Sequence, residues 1–212
     1  MTAIVLFYLD RGKTLVVASD KKISYGNQFK SASSCEGEKF HNFGNYYIFY
    51  AGDAALFKSV INGLEKKGSL TLHTIRDYIL QRSPRKSPCN WIILDSKNID
   101  KVIFIRDGNE QSMMDDIECI GQGEYFGHLP KQIIIGEFTP KWIPCKQLPW
   151  SPLFVDKLLR LYKEYSFLDD AIGHPGVYGL DLFVFSSSKK QQLKRILCKH
   201  DLTNHNSYNG WD

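Results

Sequence analysis

No apolar run in this chain approaches the ~20 residues needed to cross a bilayer. Ala3 to Leu9, one of the longest, is stopped by Asp10 and Arg11. No basic stretch precedes it, and a second apolar run, Thr14 to Ala18, follows within a few residues, so it does not read as a secretory signal. No membrane partner is expected. Cysteine is sparse: Cys35, Cys89, Cys119, Cys145 and Cys198 are widely and irregularly spaced, with no C-x-x-C pair and no Asn-x-Ser/Thr sequon. That usage predicts a reduced, cytoplasmic protein. An excess of one sign of charge is nearly absent as well. Lys and Arg number 27 against 23 Asp and Glu, and a surplus of four without clustering does not argue for nucleic acid. P-loop, G-x-G-x-x-G, G-x-S-x-G and H-E-x-x-H patterns are all missing, which leaves nucleotide-dependent and common hydrolase chemistry unsupported. Cys198, His200 and His205 have metal-binding residue types but lack a fourth ligand and sit in a polar tail. No cofactor and no metal are expected.

What is present is an ordinary globular composition, with 43% hydrophobic and 24% charged residues over 212 positions. That excludes collagen, coiled coil and intrinsic disorder. The length suits one large domain or two small ones. Ala3–Leu9 and Thr14–Ser19, separated by Asp10-Arg11-Gly12, read as a β-hairpin. Ile23–Tyr25 leads into a Gly26-Asn27 turn, and a polar stretch through Ser31, Ser33 and Ser34 runs on to Lys39 and Phe40. Tyr46–Tyr50 is a third strong strand that stops at Ala51-Gly52.

The period then changes to helical. Ala54, Ala55, Val60, Ile61 and Leu64 share a face behind an Asp53 N-cap, and Gly68 marks the end. Leu72, Ile75, Ile79 and Leu80 mark a second helix with Thr71 near its start. A basic, Pro-punctuated loop, Gln81–Pro88, precedes strands at Asn90–Leu94, Lys101–Ile105 and Ile117–Ile120. A helix is possible after Gly123, but five prolines between Pro130 and Pro152 divide that segment. Trp142 and Trp150 make it a candidate subunit contact, although burial within the chain accounts for them equally well. An amphipathic helix, Leu153–Leu168, a strand, Tyr178–Phe185, and a basic tail helix, Lys189–Lys199, complete the order, with a polar end from about residue 200. Strands in two blocks with helices between and after them point to α+β layers.

The residue with the most chemical potential is the second. Thr is small enough for the initiator Met1 to be trimmed, and trimming would expose Thr2 with a hydroxyl and a free α-amine. That pairs a nucleophile with a general base of pKa ~7.7–8.0 in one residue. The hairpin would bring Asp20 back beside the chain start.

Thr2-Ala3-Ile4-Val5, Val16-Val17-Ala18-Ser19-Asp20, Lys39, Ala51-Gly52-Asp53-Ala54-Ala55 and Ile120-Gly121-Gln122-Gly123-Glu124-Tyr125 together resemble, in order and spacing, the proteasome β-subunit family of N-terminal nucleophile hydrolases. That family includes the peptidase of the bacterial two-component ATP-dependent protease and other bacterial proteasome homologues. The resemblance covers Thr2 to Tyr125 and resumes at Gly179–Phe185. It implies an α+β fold, a four-layer αββα sandwich of two antiparallel sheets, in a single domain over residues 1–212. It also implies a threonine peptidase acting on a peptide or protein substrate, assembled as a homo-oligomeric ring, with an ATPase partner left open. In the implied site Thr2 attacks the carbonyl and Lys39 as an ammonium favours the alkoxide. Asp20 keeps Lys39 charged and oriented, and the Gly52 amide faces the oxyanion. Lys22 and Lys30 compete with Lys39 for the lysine position.

Two departures matter. Gln122 stands where the family has Ser. Gly173-His174-Pro175-Gly176-Val177-Tyr178-Gly179 replaces an Asp-x-x-Ser-Gly-Gly segment, so His174 is a candidate substitute for the Asp and also a candidate turn residue. These departures favour a second reading, a non-catalytic proteasome-like module with a binding or assembly role. A third keeps Thr2 as nucleophile but passes the acyl group to an amine, as a ligase would.

Overall fold

A computed structural model describes residues 3–9, 14–25, 33–83, 89–112, 117–121, 152–168 and 172–186. Two antiparallel sheets organise them. The first has the order β10-β1-β2-β11, from β1 (Ala3–Leu9), β2 (Thr14–Asp20), β10 (Ile117–Gly121) and β11 (Leu180–Ser186). The second runs β5-β6-β7-β8-β9, from β5 (Phe40–Phe43), β6 (Tyr46–Ala51), β7 (Asn90–Asp95), β8 (Asn98–Arg106) and β9 (Asn109–Gln111). A separate ribbon pairs β3 (Lys22–Tyr25) with β4 (Ser33–Glu36).

Strand residues point alternately to the two faces of a sheet, and here both faces are apolar. Ile4, Leu6, Leu15, Val17, Phe183 and Phe185 of the first sheet share one core cluster with Phe49, Ile92, Leu94 and Phe104 of the second. The other face of the first sheet, including Val5, Val16 and Leu182, packs on Leu158, Leu161 and Tyr162 of helix α3 (Pro152–Leu168). The other face of the second sheet, including Ile48, Trp91 and Ile93, packs on α1 (Ala54–Glu65) and α2 (Leu72–Arg82). The strands are apolar on both faces because each sheet is covered twice, which explains their near-continuous hydrophobic runs.

Local signals hold where the chemistry is local. Asp53 caps α1 by accepting the Ala55 amide at 2.7 Å, and Thr71 closes a capping box with Thr74. Several details differ from the sequence reading. The serine-rich stretch contains a strand, β4, because it pairs with β3 rather than burying a face of its own. Helix α1 ends at Glu65, before Gly68, and it buries Phe57 while Ala55 is exposed. Tyr178 lies in a short helix, α4 (Pro175–Tyr178), so the last strand starts at Leu180. The polar strand β9 pairs at the sheet edge through its backbone. The helix expected after Gly123, the segment from Pro130 to Trp150, the basic loop 84–88 and the tail from Lys189 lie outside the described residues. Among the described residues no helix is long and apolar enough to cross a membrane.

Candidate functional site

Asp20 ends β2, and its carboxylate is fully buried. Four donors from four parts of the chain meet it. The Ala3 amide donates to Oδ1 at 2.7 Å. On Oδ2 it receives Lys39 Nζ at 2.8 Å, the Gly173 amide at 2.9 Å and the Lys22 amide at 3.2 Å. Burying a carboxylate is costly unless such donors replace water. The result ties together the first strand, the turn after β2, the approach to β5 and the loop before α4. The Ala3 amide belongs to the peptide bond that Thr2 itself forms, so Asp20 grips the chain at the junction with the candidate nucleophile.

Lys39 is equally enclosed, with its side chain 1% exposed against 0% for Asp20. Burial pushes its pKa below the usual 10.5, and the Asp20 charge and hydrogen bond oppose that fall. Of the competing lysines, Lys22 sends its ammonium over the Tyr178 ring, 5.6 Å from the centroid, and gives Asp20 only its backbone amide. Lys30 lies outside the described residues.

Gly52 follows the last β6–β7 pair, Ala51 with Asn90, and has φ +132°, a conformation that favours glycine. The next amide, Asp53 N–H, donates to Cys89 Sγ at 3.0 Å, which fixes the turn from the helix side. His174 caps α4, its Nδ1 accepting the Gly176 amide at 3.1 Å, and its ring packs against Phe167. Burial, then Lys163, lowers its pKa from 6.5. Thr2 and Gln122 lie outside the described residues. The structure therefore brings Asp20 and Lys39 into direct contact, puts His174 next to Gly173 in the loop that meets Asp20, and leaves Gly52 in a glycine-favouring turn.

Sequence reasoning missed three residues. Gly173 admits no side chain: a Cβ there would lie 2.7 Å from Lys22 Cβ and 3.0 Å from Asp20 Oδ2. Tyr162 of α3 reaches the Ala18 carbonyl at 2.9 Å and the Ala3 carbonyl at 3.1 Å, clamping β1 to β2 behind Asp20. Asp181 is a buried acid in β11. Of the three, Asp181 carried a sequence signal as a charge within an apolar run, and periodicity puts Tyr162 on a buried helix face without naming its partners. Among the described residues no group of three His, Cys, Asp or Glu side chains is placed to hold a metal.

No family model matches the chain. No curated protein matches it in sequence. Solved structures do match it in fold. HslV from Trypanosoma brucei is 18% identical, with a TM-score of 0.60, covering 87% of this chain and 99% of its own. Anbu from Pseudomonas aeruginosa, solved as a helical assembly, is 18% identical with a TM-score of 0.63, covering 92% of this chain and 87% of its own. The BPH protein of Thiobacillus denitrificans is 12% identical, with a TM-score of 0.59, over 89% of this chain and 100% of its own. The resemblance to proteasome-type N-terminal nucleophile hydrolases thus holds at the level of fold.

Proposed function

We propose that this protein is an N-terminal threonine hydrolase that cleaves peptide bonds, with Thr2 as nucleophile once Met1 is removed. The observation that carries this reading is the enclosed Asp20–Lys39 pair, at 2.8 Å, bonded through Asp20 to the Ala3 amide at 2.7 Å. A buried acid–lysine pair at the residue after a threonine supplies the electrostatics that a threonine nucleophile lacks at neutral pH.

In this mechanism the Thr2 hydroxyl attacks the substrate carbonyl carbon while the Thr2 α-amine takes its proton, through one water. Lys39 as an ammonium stabilises the developing alkoxide. The oxyanion faces the Gly52 amide, a type of contact worth about 2.7–4 kcal/mol in enzymes where such a donor has been removed. Collapse expels the amine of the product, which leaves with the proton held by the α-amine, and water then hydrolyses the Thr2 ester. The fold consistent with this is one domain over residues 1–212 arranged as a four-layer αββα sandwich. Three separate core clusters, between helix and sheet, sheet and sheet, and sheet and helices, support that arrangement. Self-assembly into a ring or a related closed or helical array is part of the proposal, and so is a reduced, cytoplasmic setting. The proposal involves no nucleic acid or membrane, and it leaves an ATPase partner open.

His174 favours the second reading, a non-catalytic module, because its Nδ1 is used in a helix cap and does not replace the missing acid of the family segment. One experiment separates the two. Purified protein is measured by intact mass and by size in solution, then assayed on unstructured peptides beside Thr2→Ala. Loss of one Met together with turnover that Thr2→Ala abolishes supports the hydrolase. Retained Met1, or turnover undiminished in Thr2→Ala, refutes it. Acyl products appearing only with added amine would reassign the same nucleophile to acyl transfer.

A further inference from the structure

Strand β11 has the sequence LDLFVFS, one acid in an apolar run. Its residues alternate between the two faces of the first sheet. Leu180, Leu182 and Val184 join the cluster under α3, whereas Phe183 and Phe185 join the cluster between the sheets. Asp181 therefore belongs to the intersheet set, and it is only 1% exposed. An apolar interface is a costly place for a carboxylate unless polar groups surround it.

Its surroundings are those of the candidate site. In the β2–β11 register Asp181 stands opposite Ser19, the neighbour of Asp20, and Ser19 is buried too. Two residues along the same face, the Phe183 ring meets Phe40 edge-on at 4.6 Å. Phe40 directly follows Lys39, so this face of β11 is packed against the segment that delivers the lysine. The charge of Asp181 is felt at Lys39, where it opposes the effect of burial. Asp20 from β2 and Asp181 from β11 favour the Lys39 ammonium, Asp20 the more strongly, and Lys22 from β3 disfavours it.

We propose that Asp181 is a positioning residue of this site, a second carboxylate that helps Asp20 keep the buried Lys39 an ammonium. A single buried ion pair seldom repays the loss of hydration of both ions, and a second acid adds attraction for the lysine at the cost of burying another anion. By alternation, the two acids come from opposite faces of one sheet. The effect of the Asp181 charge on Lys39 does not depend on the proposed hydrolase. Its consequence for catalysis rests on the proposed hydrolase: removing the charge of Asp181 lowers the proton affinity of Lys39 and of a free Thr2 amine together. A reaction that needs a neutral amine and a charged lysine then shifts both limbs of its pH–rate profile toward lower pH.

The test uses the full chain labelled with ¹⁵N at lysine side chains, the Lys39 signal being identified by its loss in Lys39→Arg. The titration midpoint of Lys39 is compared in wild type, Asp181→Asn and Asp181→Glu. We expect Asp181→Asn to lower the midpoint measurably and Asp181→Glu to retain most of the wild-type value. In the active enzyme, kcat/KM of Asp181→Asn should show both limbs displaced to lower pH, which a merely structural residue would not do. If Asp181→Asn does not fold, Asp181→Ser, small and uncharged opposite Ser19, serves with the same expectation. An unmoved Lys39 midpoint overturns the proposal whether or not the protein hydrolyses peptides. Absence of Thr2-dependent turnover in wild type overturns the hydrolase reading instead, and the Lys39 titration still decides the role of Asp181.

Discussion

Asp20 and Lys39 are joined by a 2.8 Å ion pair whose side chains are 0% and 1% exposed. Breaking such a pair by neutralising one member costs about 3–5 kcal/mol, because the other charge is left buried. Asp20→Asn should therefore lose stability of that order, read from a denaturant midpoint at constant m-value. The Asp20→Asn, Lys39→Met double variant should recover part of the loss, since it removes the stranded charge. A double variant no more stable than the single one would mean that the backbone donors to Asp20, and not the ion pair, account for the cost.

Gly173 is the second test of that cluster. A Cβ at 2.7 Å from Lys22 Cβ and 3.0 Å from Asp20 Oδ2 has no flexible side-chain end to displace. Gly173→Ala should cost about 1–3 kcal/mol, as overpacking does. Gly68→Ala is the matched control, because nothing lies within 4 Å of its position, and it should stay within about 0.5 kcal/mol of wild type. Equal effects at the two glycines would refute the packing argument.

Tyr162 holds the back of the site with one hydroxyl proton shared between the Ala18 and Ala3 carbonyls, at 2.9 and 3.1 Å. Burial is the first reason its pKa lies well above 10.0, and the Asp20 charge adds to it. Tyr162→Phe keeps the ring in its cluster and removes only the hydroxyl. It should destabilise by about 1–3 kcal/mol, the cost of leaving a buried acceptor short of a donor. Hydrogen exchange at the start of β1 should rise more than exchange in β7, since only the first sheet loses a clamp.

The sequence makes the near contacts of this site legible and hides the distant ones. The β1–β2 hairpin carries its own turn, so the return of Asp20 to residue 3 follows from local pattern, and the pairing of Ile4 with Ser19 realises it. Lys39 could be preferred over Lys22 because it leads into Phe40, and β5 begins there. The Asp53 and Thr71 caps are likewise chemistry within four residues. Gly173 and Tyr162 act across 153 and 144 positions, on Asp20 and Ala18. Helical periodicity places Tyr162 on a buried face, but it does not say which carbonyls its hydroxyl meets. Strands β4 and β9 escaped because short polar edge strands form through a neighbour's backbone, leaving little pattern of their own.

His174 gives a pH-dependent prediction with a definite sign. Its Nδ1 accepts the Gly176 amide, a bond that a proton on that nitrogen would abolish, and burial, aided by Lys163, lowers its pKa from 6.5. A histidine whose folded pKa lies below its unfolded value contributes stability above 6.5, and that contribution is lost as pH falls through the folded pKa. Wild type should therefore lose stability as pH drops from 7.5 toward about 5, on top of the general carboxylate effect. His174→Asn keeps a capping acceptor that does not titrate, and Asn is a preferred N-cap residue. Urea midpoints for the two proteins should run together above 6.5 and separate at acid pH, with the wild type the less stable of the two there. His174 is only partly buried, so the effect should be small, and salt should reduce the part that comes from Lys163. Parallel pH curves for the two proteins would show that the cap does not depend on the charge state of His174.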